Sequence, residues 1–188
     1  MAKRENQRIL LTKRMLQDGL LQLLETKALN AVSVTELCRV SGINRATFYN
    51  HYSSPADLLS DLEAQLVLGL EKLIVRYPTN LEDCLSMLES ICIYMKENSR
   101  SVIVLSRCHS DTDLVTSFHK LNALFPPRQP KSRLTANMDA DELHLTSTFV
   151  YSGCYLLIRE WLVRDIDKSP HEIAELLLRI LSKELQYI

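Results

Sequence analysis

The sequence predicts an all-α protein, and three observations predict it. Four glycines and six prolines in 188 residues are too few to turn a chain of short strands. Long Leu-rich stretches repeat their apolar residues at the three-and-four spacing of a helix face. Residues 32–59 hold two short helical runs separated by a glycine turn. Hydrophobic residues at 46% and charged residues at 24% are ordinary for a globular chain, whose length suits one or two domains.

The first helix is expected from about Glu5 to Lys27. Ile9, Leu16, Leu20 and Leu23 fall on one stripe that Leu24 widens. It is placed to cover the two short helices and complete a three-helix domain. Lys3, Arg4, Arg8, Lys13 and Arg14 crowd its start against Glu5 alone. Such an arm suits phosphates or a minor groove, and equally the solvated start of a helix.

Ser33 precedes a run with apolar residues at Val34, Leu37 and Cys38, and Ser41-Gly42 ends it. Gly42 supplies the left-handed backbone that a tight helix end needs. In the second run, Asn44 to Tyr52, Asn44 is the expected cap. Ala46, Phe48 and Tyr52 look suited to the core, which sends Arg45, Thr47, Tyr49, Asn50 and His51 outward. An ordinary solvated face carries Glu and Lys. This one carries groups that donate to phosphates and base edges, with Arg45 able to reach O6 and N7 of a guanine. The pattern is a helix-turn-helix and resembles the DNA-reading motif whose second helix lies in a major groove. Its candidate DNA contacts are Thr35, Asn44, Arg45, Ala46, Thr47, Tyr49, Asn50 and His51. The competing reading is a structural helical hairpin with a polar rim.

Ser54-Pro55 opens a fourth helix to about Arg76, with proline at its favoured first position. The expected domains are 1–53, the DNA-binding domain, and 54–188, a second helical domain that also serves dimerisation. Further helices are expected near 80–97, 99–109 and 111–124, making about nine in all. Asn98-Ser99 is a stop and restart, and the proline-rich stretch 125–132 is a loop.

The last two helices are expected at about 139–164 and 169–186. Ser169, Pro170 and Glu172 form the opening of the second, with Ser at the N-cap and Glu at N3. Both helices carry apolar residues over more than one face, among them Phe149, Trp161, Leu177 and Ile180. The natural cover is a second copy, giving a homodimer through residues 139–187. Met87, Ile91, Tyr94, Met95, Leu105, Phe118 and Phe149 are candidates for lining a cavity, or for plain core.

The net charge of −1 divides unevenly. Residues 1–59 hold eight Lys and Arg against five Asp and Glu, and residues 60–188 hold fourteen against eighteen. The basic excess lies with the helix-turn-helix. Five cysteines without a Cys-x-x-Cys read as buried thiols. No histidine has metal-ligand spacing, and no nucleophile–base pair or phosphate loop supports an enzyme. The expectation is no catalytic site, no metal and no cofactor. No apolar run spans a membrane and the start is not a signal peptide, so a cytoplasmic location is expected.

Ser33-Val34-Thr35-Glu36-Leu37, Ser41-Gly42-Ile43-Asn44 and Thr47-Phe48-Tyr49-Asn50-His51-Tyr52 together resemble the motif of the tetracycline-repressor (TetR) family of transcription regulators. The chain departs from it at Ser54-Pro55-Ala56-Asp57-Leu58, where the family commonly has Ser-Lys-Glu-x-Leu and its phosphate-touching lysine. Gly153, Trp161 and Ser169-Pro170-His171-Glu172-Ile173 resemble the family's C-terminal helix pair. The resemblance implies a homodimeric repressor that binds a palindromic operator on double-stranded DNA and is released by a small-molecule effector. The rival from another class is an architectural or cell-division DNA-binding protein without an effector.

Overall fold

The computed structural model describes residues 2–76, 81–108 and 138–184. Among them the chain is all-helical. Helix α1 spans Ala2–Leu24, a 3-10 turn Leu29–Ala31, α2 Val34–Ser41, α3 Arg45–Tyr49 and α4 Pro55–Arg76. Then follow α5 Leu81–Glu97, α6 Ser99–Cys108, α7 Ala140–Val163 and α8 Pro170–Glu184. The helix expected at 111–124, the loop at 125–132 and Phe118 lie outside the described residues.

The chain divides into two compact units, residues 1–66 with 104–108, and residues 67–103 with 109–188. Helix α4 therefore begins in the first and ends in the second. The core of the first unit joins Leu16, Leu20, Leu23 and Leu24 of α1 to Leu37 of α2, Phe48 of α3, and Leu58, Leu59 and Leu62 of α4. Leu16, Leu20, Leu37, Phe48 and Leu58 are wholly enclosed. Each contributes about 1.5–3 kcal/mol of transfer free energy. Ile9, expected on the same stripe, is 38% exposed, whereas Leu21 is buried. The stripe is buried only from Leu16 onward, where α2 and α4 supply the cover.

A close approach of α1 to α2 fixes their crossing. A Cβ built on Gly19 would stand 3.0 Å from the Cβ of Ser41. The Ser41 hydroxyl, taken out of water there, donates to the Leu37 carbonyl at 2.7 Å.

In the second unit, α5 packs most extensively on α8, and both touch α7. Leu88, Cys92 and Met95 of α5 are buried, as are Ile158 and Trp161 of α7 and Ile173, Ala174 and Leu177 of α8. The Trp161 indole N–H donates to the carbonyls of Ile166 and Lys168 at 3.1 and 3.2 Å, binding the turn before α8 to α7. On α4, Gly69 lies directly beneath Tyr94 of α5, so that a Cβ there would fall 2.0 Å from the tyrosine hydroxyl oxygen. All five cysteines are free. Cys92 is fully buried, and burial pushes its thiol up to about 12, and that of Cys154 to about 11. Protonated thiols at those values pack as small hydrophobes.

Candidate nucleic-acid interface

Local interactions shape α2, the turn after it and the start of α3. The Ser33 hydroxyl accepts from the Glu36 N–H at 3.2 Å and opens α2. Gly42, at φ 68° and ψ 19°, closes it in the left-handed region. The Asn44 carboxamide oxygen then accepts from the Thr47 N–H at 2.7 Å and opens α3. Gly42 and the Asn44 cap thus turn the chain within three residues.

Helix α3 is only five residues long, so its orientation depends on the side chains that anchor it. Phe48 and Tyr52, four apart, share the inward face and are buried, with ring centroids 6.1 Å apart. Ala46 does not join them: it is exposed. Two residues along a helix is a rotation of about 200°, which puts Ala46 on the side away from Phe48. Ala46 therefore lies on the outward face with Arg45, Tyr49 and Asn50, all exposed. Thr47 and His51 are half-buried, and Thr35 is exposed on α2. Tyr49 is 52% exposed, its ring edge-on to Phe48 with centroids 5.4 Å apart.

Beneath α3 is a polar cluster without a sequence signal in the motif. Asp61 Oδ2 accepts from the Tyr52 hydroxyl at 2.5 Å, from the Lys13 ammonium at 3.2 Å and from the Gln65 amide at 3.1 Å. The same ammonium stands 5.2 Å from the centre of the Tyr52 ring. Partial burial pushes the Asp61 carboxyl up, but the bonds from Tyr52, Lys13 and Gln65 more than offset this and hold it below the ordinary value. The Tyr52 hydroxyl is raised by burial and by the carboxylate it binds. Lys13, expected in a basic arm, is engaged in this cluster, while Arg8 and Arg14 remain exposed. A carboxylate one turn beyond Leu58, on the buried flank of an amphipathic helix, was the available clue.

The α3–α4 connection, where the family's lysine is missing, is held by side-chain caps. The Ser54 hydroxyl accepts from the Asp57 N–H at 3.1 Å, and the Asp57 carboxylate accepts from the Ser53 N–H at 2.8 Å. The turn is closed by capping, and it offers no cation there.

The residues considered for an effector pocket separate. Met87, Ile91 and Tyr94 of α5 are half-buried and Met95 is buried, all in the second unit. Leu105 belongs to the core of the first unit, and Phe149 is 75% exposed. Among the described residues, no cluster of histidine, cysteine and carboxylate side chains could hold a metal ion. No helix described is long and apolar enough to cross a membrane.

Known proteins of the same architecture agree with this arrangement. Residues 82–183, more than half of the chain, match the TetR family model described as a transcriptional regulator C-terminal region. No curated protein sequence matches the chain. A TetR transcriptional regulator from Streptococcus agalactiae superposes with a TM-score of 0.61 at 18% identity, covering 96% of this chain and 98% of that one. The fatty acid degradation regulator FadR from Bacillus halodurans superposes at 0.67 with 12% identity, over 90% of this chain and 94% of its own. The TetR family repressor AlkX from a Dietzia strain gives 0.52 at 16% identity, over 94% and 96% of the two chains. At such identities the likeness is one of fold: helix-turn-helix first, helical domain after. With the family model over its C-terminal half and this fold throughout, the chain belongs to the TetR family of transcriptional regulators.

Proposed function

We propose that the chain is a homodimeric DNA-binding repressor whose two α3 helices read a palindromic operator and whose second unit takes a small-molecule effector that releases it. The observation that carries the reading is the outward face of α3. Arg45, Tyr49 and Asn50 stand exposed there with Ala46 between them, on a helix anchored from below by Phe48 and Tyr52. Small and donor-bearing groups on that face admit the close approach of base edges. Arg45 is the base reader, while Thr35, Thr47, Tyr49 and His51 hold phosphates and Asn44 caps the helix.

Dimerisation is supported by α7. Leu145 is 68% exposed, Phe149 75%, Leu156 47% and Val163 39%, and they recur at helical spacing along one face. Gly153 lies on the same stripe with nothing within 4 Å of a built Cβ. Ile180 of α8 adds a further exposed apolar group. A patch of this extent fits a homodimer contact of about 1,600 Å². The effector is supported by the half-buried Met87, Ile91 and Tyr94 and by the structural likeness to regulators of fatty acid and n-alkane metabolism.

The test is selection from a randomised pool of duplex DNA by the full chain. A two-fold symmetric site is expected, with half-sites one helical turn or more apart. In that site Arg45→Ala is expected to relax preference at one base pair per half-site, by about 1–3 kcal/mol. A uniform loss of affinity for all sequences would make Arg45 a phosphate anchor instead.

A further inference from the structure

We propose that Asp61 is a positioning residue for DNA recognition: its carboxylate, joined to Tyr52, Lys13 and Gln65, sets the angle at which α3 is presented. The proposal rests on the DNA-reading role of α3 and names what orients it. Three helical segments converge on one oxygen. Lys13 comes from α1, Tyr52 from the turn that ends α3, and Asp61 and Gln65 from α4.

The geometry makes this cluster the directional part of the anchor. Helix α3 has five residues and only one wholly buried side chain, Phe48. Apolar contact holds depth well and rotation poorly, because it has no preferred direction. A hydrogen bond does have one. Tyr52 is tied to the end of α3 through its own N–H, which donates to the Phe48 carbonyl at 2.9 Å. Tyr52 is only 4% exposed and its hydroxyl ends on Asp61. A rotation of α3 about its axis therefore drags the Tyr52 hydroxyl off the carboxylate, and the Lys13 ammonium resists by contacting both carboxylate and ring. Asp61 also lies on α4, so the angle of the reading helix is referred to that helix rather than to α2 alone. Base readout demands this, since a bidentate contact fails when its donors are displaced by a fraction of a hydrogen-bond length, whereas phosphate contacts tolerate the shift.

The experiment uses the full chain, a duplex that the wild type enriches from a randomised pool, and a random duplex of equal length. Both are titrated at fixed salt and at a temperature where circular dichroism shows every variant folded. Tyr52→Phe removes one hydroxyl, and Asp61→Asn removes the charge while keeping the shape. Each is expected to lower the ratio of selected to random affinity by about tenfold. The double variant is expected to lose no more than the larger single loss, because both changes break one shared anchor. A merely structural Asp61 would lower the melting temperature and leave the ratio alone. An unchanged ratio in folded variants overturns the proposal, and so do losses that multiply in the double variant. Should Asp61→Asn not fold, Tyr52→Phe decides by the same ratio. A wild type that enriches no duplex overturns the DNA-binding reading itself, whereas an enriched duplex with unmoved ratios overturns only the role of Asp61.

Discussion

Ala46 and Phe48 stand two positions apart on α3 and face opposite ways, and that local fact shapes the outward face of the helix. Phe48 is enclosed and takes Tyr52 with it, while Ala46 is left exposed between Arg45 and Tyr49. Spacing arithmetic alone separates them, yet alanine's apolar character suggested core. At the same scale, Asn44 holds the start of a helix too short to nucleate by itself. Asn44→Ala is expected to lower stability by about 1 kcal/mol, and Asn44→Asp to retain most of it. Urea denaturation of the three proteins checks this. Equal midpoints for wild type and Asn44→Ala would show that the bond from the Thr47 N–H is replaced by water at no cost.

Among the elements, the helix starts were the most legible. The opening of α8 forms as a reciprocal box: the Ser169 hydroxyl accepts from the Glu172 N–H at 3.2 Å, and the Glu172 carboxylate accepts from the Ser169 N–H at 2.8 Å. The bond from the Ser169 backbone, then those from its hydroxyl and from Lys168, bring the Glu172 carboxyl down to about 2. A depressed carboxyl contributes stability that is present above its unfolded value and lost as pH falls. The stability difference between wild type and Glu172→Gln should therefore be full above pH about 4.5 and fade toward pH about 2. Melting curves across that range decide it, and a constant difference would remove the carboxylate from the cap. Asp139 and Glu142 build a second such box at α7, with the Glu142 N–H donating to Asp139 at 2.9 Å.

The crossing of α4 and α5 was not legible, because nothing local marks Gly69 as the seat of Tyr94. A methyl there meets the hydroxyl and ring of Tyr94 at 2.0–2.8 Å, so the ring must leave. Gly69→Ala is expected to cost about 1–3 kcal/mol by overpacking. Tyr94→Leu in the same chain should recover most of that loss. A Gly69→Ala protein as stable as wild type would mean that Tyr94 has an equally good second rotamer.

For the whole molecule, the decisive distinction lies between apolar residues that the chain buries itself and those it leaves outside. The breadth of apolar surface on the last two helices pointed to a partner copy, with Leu177 and Ile180 expected to meet it. Leu177 is 2% exposed and belongs to the chain's own core, whereas Phe149 and Leu156 face outward. Phe149→Glu or Leu156→Glu is thus expected to give folded monomers with much weakened operator binding, while Leu177→Glu is expected to unfold the second unit. Sedimentation and circular dichroism separate the two results. A wild-type chain that sediments as a monomer at micromolar concentration would reject the dimer.

Helix class, the turn at Gly42 and the caps at Asn44 and Ser169 were determined by the sequence alone. They depend on interactions within four residues, where spacing and residue type dictate geometry. The Asp61 cluster joins residues 48 positions apart, Gly69 meets a tyrosine on another helix, and Leu177 and Phe149 part company in burial. Only tertiary structure decided these, since the identity of a side chain does not say which distant helix will reach it. Burial and long-range hydrogen bonding are properties of the packed chain, and local pattern reaches no farther than its own turn of helix.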